Sequence, residues 1–165
     1  MNIQTKRTVI RNFHEKDADD LYEILGDEEV MEFMEHAYDY EKTKAFLKNF
    51  CIEHKGAFAC EYQDKVVGYI LFNEYEPAVY EIGWVFNKEY WGKGLAYEAC
   101  SAVMDYGFEK LGIHKIFAET IDSVKSVPLM QKLGMECEGV QKLHTRDNHG
   151  NWCDVYLYGK LNKSL

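Results

Sequence analysis

A chain of 165 residues can bury about 70% of the surface that it exposes when unfolded, which suits one domain with its own core. The net charge of −9 excludes a general nucleic-acid binder, because phosphate contacts need clustered Lys and Arg. The five cysteines form no C-x-x-C pair, and no run approaches about 20 apolar residues, which argues against a metal site, a disulfide framework and a membrane span. We therefore predict a single cytoplasmic domain over residues 1–165, without metal, membrane or nucleic acid.

The first half of the chain reads as a strand, acidic helices and a β-meander. Residues 1–13 contain a strand, and the spacing of apolar residues is helical over 17–25 and again over 28–55. Runs rich in aromatic and β-branched residues predict strands over 57–62, 66–75 and 79–86. Asp64-Lys65 and Glu76-Pro77-Ala78 are the predicted connections.

The second half opens with a glycine turn and the longest predicted helix. Apolar or small residues recur at helical spacing from Ala96 to Leu111, and Gly112 supplies the C-terminal stop. A strand over 114–121, a helix over 126–133 and a hairpin of strands 140–145 and 152–161 follow. A strand, helix, strand unit implies a parallel pair, so we predict an α/β fold with a mixed, mostly antiparallel seven-stranded sheet and helices on both faces.

Negative charge is concentrated near the N-terminus. Ten acidic residues lie between Glu15 and Glu41, and Lys16 alone opposes them. Such a run is usually a solvated helix face, but it also suits a surface that attracts a cationic substrate.

The turn Gly92-Lys93-Gly94 is the candidate anion site. A P-loop is excluded because Gly94 follows Lys93 and Asn87 stands five positions before Gly92. A Rossmann fingerprint would need a third glycine where Tyr97 stands. Two readings remain: an ordinary helix start, or a helix start whose free backbone N–H groups converge on a phosphate.

Four motifs in register carry a resemblance to a known family. They are TKRTVIRNFHEKDADDLYEIL, YEIGWVF, EYWGKGLAYEA and SVKSVPLMQKLGM. In order and spacing they resemble the ribosomal-protein N-acetyltransferase (RimJ/RimL) branch of the GNAT superfamily. That resemblance implies a sheet splayed between its fourth and fifth strands and acetyl-CoA as co-substrate, with the pantetheine arm lying in the splay.

The resemblance also implies cofactor-binding positions. Val85 and Phe86 would meet the pantetheine, and Ser123 stands where the branch has an asparagine. The pyrophosphate would lie on the loop formed by Trp91, Gly92, Lys93, Gly94, Leu95 and Ala96.

Two catalytic candidates follow from the same resemblance. Glu81 is the candidate general base, and strand alternation places it on one face with Gly83 and Val85. Its alternative is a charge that reaches solvent or pairs with a cation. Ser126 is the candidate acid or thiolate-stabilising group, and its alternative is a helix N-cap, while Leu129-Met130 occupies the stretch where many relatives have a tyrosine.

The predicted reaction is direct acetyl transfer to a primary amine. The acidic span favours a cationic acceptor: a protein N-terminus with basic neighbours, a polyamine or an amine-bearing small molecule. A non-catalytic acyl-CoA-binding or sensor module is the alternative function. Monomer and homodimer both remain open.

Overall fold

The computed structural model describes residues 1–163, so the last two residues of the predicted domain lie outside the described part. One sheet contains eight strands in the order β1-β2-β3-β4-β5-β6-β8-β7. The strands are β1 Asn2–Gln4, β2 Val9–Arg11, β3 Ala57–Tyr62, β4 Lys65–Glu76, β5 Val79–Phe86, β6 Lys115–Thr120, β7 Glu136–Arg146 and β8 Trp152–Leu161.

Four α-helices pack on this sheet. They are α1 Ala18–Leu25, α2 Tyr40–Phe46, α3 Leu95–Lys110 and α4 Ser126–Lys132. A wider π-helical stretch, Leu47–Glu53, continues α2. The mixed α/β fold is therefore as predicted, with every strand pair antiparallel except β5 with β6.

Two sequence predictions about the N-terminal half were wrong. The strand predicted within residues 1–13 is a hairpin of two strands, which raises the strand count from seven to eight. The helix predicted from residue 28 begins only at Tyr40, and residues 27–38 form a loop. In this loop the Asp27 side chain accepts the N–H groups of Glu29 and Val30, an arrangement that competes with a continuous helix.

Local chemistry explains where other elements begin and end. Asp39 caps α2, because its carboxylate accepts the Lys42 N–H at 2.7 Å. The β3–β4 turn is formed by Gln63 and Asp64, both at positive φ, one position before the predicted connection. Gly134 ends the α4 segment at φ 75°, in agreement with the predicted stop.

The sheet opens between β5 and β6, the fourth and fifth strands of the sequence-based scheme. These two strands pair over only three positions, Val79–Glu81 with Lys115–Phe117. Beyond that point β5 pairs with β4 alone, and β6 pairs with β8 alone. The predicted splay is therefore confirmed, and it leaves one side of each strand without a neighbouring strand.

Two apolar clusters lie on opposite faces of the sheet. The α3–α4 face buries Ile82, Phe86, Leu95 and Ile116, whereas the α1–α2 face buries Val85 together with helix residues such as Leu21. Alternation along β5 thus divides its side chains between two cores, as the sequence predicted. Among residues 1–163, no helix is long and apolar enough to cross a membrane.

Candidate active site

A cleft of 910 Å³ occupies the gap between β5 and β6. One wall carries Glu81, Gly83 and Val85 from β5, and another carries Glu119 and Thr120 from β6. The cleft also reaches the glycine turn, α4, the 27–38 loop and β7. Because its walls come from both faces of the sheet, the cleft passes through the sheet where the strands separate.

The glycine turn forms the start of α3. Gly92 and Gly94 have φ values of 71° and 75°, a conformation that glycine adopts without steric cost. Within the described residues, no protein acceptor bonds the N–H groups from Gly92 to Tyr97, and the first N–H bonded within the turn and helix is that of Glu98, to Gly94 O at 3.1 Å. The turn therefore presents a series of backbone donors and the positive end of the helix dipole.

The turn is held from outside by Arg7. The Arg7 guanidinium donates to the Lys93 carbonyl at 2.9 Å and to Glu98 Oε2 at 2.7 Å. Burial opposes ionisation of Glu98, but hydrogen bonds from Thr5 and Arg7 outweigh it and lower the pKa of that carboxyl. Fixing a carbonyl of the turn in this way leaves its N–H groups oriented before any ligand binds.

Trp91 fastens the turn to the end of β5. Its indole Nε1–H donates to the Phe86 carbonyl at 2.8 Å, which spans the chain between strand and turn. The Lys125 ammonium lies 3.8 Å from the centre of the Trp91 ring. A related contact places the Lys132 ammonium 4.5 Å from the Tyr97 ring, so two lysines of the α4 segment border the turn.

Glu81 lies where β5 and β6 begin to diverge. It is partly buried, its Cα partner on β6 is Phe117, and Glu119 follows two residues later. Burial, together with the negative charge of Glu119, raises the pKa of Glu81 above its usual value. A partly desolvated carboxylate of this kind is a stronger base than one in water.

Ser126 is not the N-cap of α4. It is the first helical residue, and its hydroxyl donates to Asp122 Oδ2 at 3.5 Å. Asp122 is the residue that organises this turn, because its Oδ1 accepts the N–H groups of Val124 and Lys125 at 3.0 Å each. The capping alternative for Ser126 was therefore wrong, and Ser126 is one of the residues that line the cleft.

The structure brings most of the predicted site residues together. The cleft is lined by Glu81, Val85, Phe86, Trp91, Gly92, Gly94, Ala96 and Ser126. Lys93, Leu95 and Ser123 lie outside the lining: Leu95 is buried in the core, Ser123 is exposed, and the Lys93 ammonium packs on Tyr90. Any contribution of Leu95 to anion binding comes from its backbone N–H.

Sequence reasoning missed several groups at this cleft. Alternation along β6 gives the face of the strand on which Glu119 lies, but the proximity of Glu119 to Glu81 depends on the pairing of β5 with β6. Lys125 directly precedes α4 and Lys132 ends it, and Arg7 reaches the turn from the N-terminal hairpin. No local pattern marks Lys125, Lys132 or Arg7 as a neighbour of the turn.

The acidic span near the N-terminus is largely paired with cations. Lys88 contacts Asp27 and Glu29, and Lys65 contacts Glu23. This pairing removes much of the basis for a cation-attracting surface there. The cleft carboxylates Glu81 and Glu119 are the better placed negative groups. Within residues 1–163, no three His, Cys, Asp or Glu side chains come together as a metal site.

Comparison with known proteins identifies the family. A family model described as acetyltransferase (GNAT) domain matches residues 7–136. The chain belongs to the GNAT acetyltransferase family. It is 37% identical over 171 residues to a Bacillus subtilis (strain 168) protein named uncharacterized N-acetyltransferase YnaD, and the match covers 98% of this chain and 97% of that one.

Solved structures agree with this family. A crystal structure of a GNAT-family acetyltransferase from Bacillus anthracis has a TM-score of 0.91 at 32% identity and covers 99% of both chains. RimL, a ribosomal L7/L12 alpha-N-protein acetyltransferase solved in complex with coenzyme A, has a TM-score of 0.88 at 17% identity, over 100% of both chains, which shows a shared fold. The GNAT chain described here is thus an acetyl-CoA-dependent acetyltransferase, and the prediction of an enzyme is confirmed.

Proposed function

We propose that this enzyme transfers the acetyl group of acetyl-CoA directly to a primary amine, with Glu81 as the general base. One observation carries the proposal: a partly buried carboxylate lies in the same cleft as the helix start whose N–H groups have no protein acceptor among residues 1–163. The cleft therefore combines a proton acceptor with an anion cradle. Direct transfer needs both, because the amine must be neutral while the cofactor is held by its phosphates.

Deprotonation of the acceptor is the costly part of this chemistry. At pH 7 a lysine-type amine with a pKa of about 10.4 is neutral in only about 0.04% of molecules, whereas about 10% of α-amino groups with a pKa near 8 are neutral. A base with a raised pKa reduces the difference between its own pKa and that of the amine, so proton transfer from the amine costs less free energy. Burial and Glu119 act on Glu81 in that direction.

The residues of the glycine turn fit the cofactor's diphosphate. The N–H groups from Gly92 to Ala96 would bind phosphate oxygens, and Lys125 adds a cation beside the turn. The β5 backbone from Gly83 to Phe86 has no partner strand on the β6 side, so it can bond the pantetheine arm along Val85 and Phe86. When bound, acetyl-CoA supplies the activated acetyl group.

Ser126 is proposed to stabilise the departing thiolate. Ser126 lines the cleft, and its hydroxyl has one long hydrogen bond, to Asp122 at 3.5 Å, so the proton can be directed to another acceptor. Ser123 is exposed outside the cleft lining, and we propose no more than a peripheral cofactor contact for it. Ribosomal-protein N-termini, as for RimL, and cationic small amines are both acceptor classes within this proposal.

The decisive experiment measures free thiol released from acetyl-CoA by a panel of primary amines. We expect Glu81→Gln to lower kcat by about 10²- to 10⁴-fold while leaving the Kd for acetyl-CoA unchanged. Glu76→Gln is the matched control, because Glu76 is exposed at the end of β4 and outside the cleft. Wild-type-like turnover in Glu81→Gln would exclude Glu81 as the base.

A further inference from the structure

The hairpin between β7 and β8 reaches across to the 27–38 loop through one side chain. The Asn148 amide nitrogen donates to the Met31 carbonyl at 2.7 Å and to the Glu35 carbonyl at 2.8 Å. These partners lie 117 and 113 residues away in sequence. One NH₂ group thus uses both of its protons to join two segments that belong to different parts of the fold.

Both joined segments form walls of the same cleft. The 27–38 loop contributes Val30, Phe33 and Met34, and the β7 strand leading to Asn148 contributes His144 and Thr145. The two hydrogen bonds of Asn148, here called the Asn148 bridge, therefore connect two walls of the cleft. The proposed function assigns the cofactor to the glycine turn and β5, so we take these other two walls, the 27–38 loop and β7, as the acceptor end of the cleft.

The hairpin turn itself does not use the Asn148 side chain. Asp147 organises the turn, since its carboxylate accepts the N–H groups of His149 and Asn151 and also the Asn151 side-chain amide. Backbone bonds between Asp147 and Asn151 and between Gly150 and Asp147, both 3.0 Å, complete it. The contacts of the Asn148 amide are therefore directed to the loop and not to local turn formation.

The loop has other anchors near its ends. Lys88 bonds Asp27 at 2.7 Å at the start, and Glu35 bonds Tyr38 at 2.9 Å and Lys42 at 3.1 Å at the end. Asn148 binds the stretch between these anchors, where the loop carries its cleft-lining side chains Phe33 and Met34. Its amide thereby holds that stretch to the β7–β8 hairpin, alongside the Met31 side chain, which is buried in the core.

We propose that Asn148 is a specificity-determining residue that sets the width of the acceptor end of the cleft. The proposal rests on the proposed amine acetylation. It holds that the bridge keeps the loop against β7, so the enzyme prefers a narrow, unbranched primary amine to a bulky one. Asn148 touches neither cofactor nor reacting atoms, so it acts by positioning the 27–38 loop.

The test compares two acceptors of different width in the full-length enzyme. The probes are 1,4-diaminobutane and the tripeptide amide Ala-Ala-Ala-NH₂, each with saturating acetyl-CoA. In Asn148→Ala, kcat/KM for the tripeptide relative to the diamine should rise about fivefold or more, mainly through KM, because loss of two hydrogen bonds frees the loop. Asn148→Asp, which keeps the size but cannot donate to carbonyls, should behave in the same way.

Asn151→Ala is the matched control, because Asn151 lies in the same hairpin but, among residues 1–163, its side chain bonds Asp147 alone. Its selectivity should equal that of the wild type. A second readout is amide hydrogen exchange of residues 27–38, which should accelerate about five- to thirtyfold in Asn148→Ala and stay unchanged in Asn151→Ala.

The outcomes separate this proposal from the proposed function. Faster loop exchange with altered selectivity supports the role of Asn148, whereas unchanged exchange, or unchanged selectivity, overturns it. If none of the amines increases the release of thiol from acetyl-CoA by the wild-type enzyme, the proposed function fails. The hydrogen-exchange measurement then tests the role of Asn148 by itself. If residues 27–38 exchange at the same rate in Asn148→Ala as in Asn151→Ala, the proposal that Asn148 holds the loop is overturned.

Discussion

Glu81 and Glu119 show how two similar side chains acquire different properties at one cleft. Glu81 is partly buried on β5, whereas Glu119 is exposed on β6. Desolvation acts first on Glu81, and the nearby negative charge then adds to it, so both effects raise the pKa of Glu81. In the proposed mechanism the base must be ionised, and activity falls as the pH drops through this raised pKa.

The charge of Glu119 should therefore be visible in the pH profile. Glu119→Gln removes one of the two causes that raise the pKa of Glu81, so the acidic limb of kcat/KM should move to lower pH. The measurement is kcat/KM for one amine across the acidic range. Glu109→Gln, at an exposed position on α3, should leave the limb in place. A limb that does not move in Glu119→Gln would contradict the coupling.

The Trp91 side chain joins the glycine turn to the end of β5. Trp91→Phe keeps an aromatic ring beside Lys125 but removes the Nε1–H that binds the Phe86 carbonyl. We expect a loss of about 1 kcal/mol in the free energy of unfolding, measured by denaturant titration. The Kd for acetyl-CoA should rise a few-fold, because the turn is less fixed.

Trp152→Phe is the control for this change. Trp152 is 55% exposed and its ring packs on Arg146 at the far edge of the sheet. Stability and the Kd for acetyl-CoA should both stay close to wild type. Equal effects from the two tryptophan variants would mean that the Phe86 bond does not position the turn.

The start of α3 depends on two glycines in the left-handed region. A Cβ added at Gly94 would meet Arg7 Nη2 at 3.6 Å, an ordinary contact, and one added at Gly92 would meet nothing within 4 Å. The cost of alanine at either position is therefore conformational. Gly92→Ala and Gly94→Ala should each lower the free energy of unfolding by about 1–2 kcal/mol.

Gly112 provides a matched control for α3. It follows the C-terminal end of the helix with φ 64°, and a Cβ added there would meet nothing within 4 Å. Gly112→Ala should cost a similar amount of stability by the same mechanism, but only the Gly92 and Gly94 variants should weaken thermal stabilisation by acetyl-CoA. Equal stabilisation of all three variants by the cofactor would argue against the turn as the phosphate cradle.

At the scale of the whole molecule, two ion pairs of Arg11 link β2 to β3 and to the residue that precedes α1. Arg11 donates to both oxygens of Asp17, at 2.8 and 3.0 Å, and to Glu61 on β3 at 2.7 Å. Burial alone would raise the pKa of Asp17, but hydrogen bonds from Arg11 and the His14 N–H outweigh burial and lower that pKa. A carboxyl with a lowered pKa adds stability above its unfolded pKa and loses that contribution on acidification.

We therefore expect the free energy of unfolding to fall as the pH drops below about 4, where Asp17 becomes protonated in the unfolded chain. Asp17→Asn should lower the free energy of unfolding by about 2–3 kcal/mol near neutral pH, and the loss is limited to this range because Arg11 keeps Glu61 as a partner. The same variant should reduce the fall in the free energy of unfolding at acid pH. Denaturant titrations from pH 3 to pH 7 check both points. Asp105→Asn, at an exposed position on α3, should retain the wild-type pH dependence.

Much of the fold was predictable because the relevant information is local. Alternation along β5 correctly assigned Glu81 and Val85 to one face and Phe86 to the other. The turn at Gly92 and Gly94 was recognisable because it needs residues that tolerate positive φ. The 28–39 stretch was misassigned because the Asp27 side chain captures nearby N–H groups and ends the helical pattern.

Strand periodicity and the glycine turn were thus predictable from the sequence, since each depends on neighbours a few positions away, whereas the role of Glu81 as a base came from the family resemblance and stays a prediction. The closeness of Glu81 to Glu119, the grip of Arg7 on the turn and the bridge from Asn148 to Met31 were not predictable. Those contacts join positions that are far apart in sequence. They depend on the tertiary structure, in which β5 separates from β6 after three paired positions and the 27–38 loop and β7 line the same cleft.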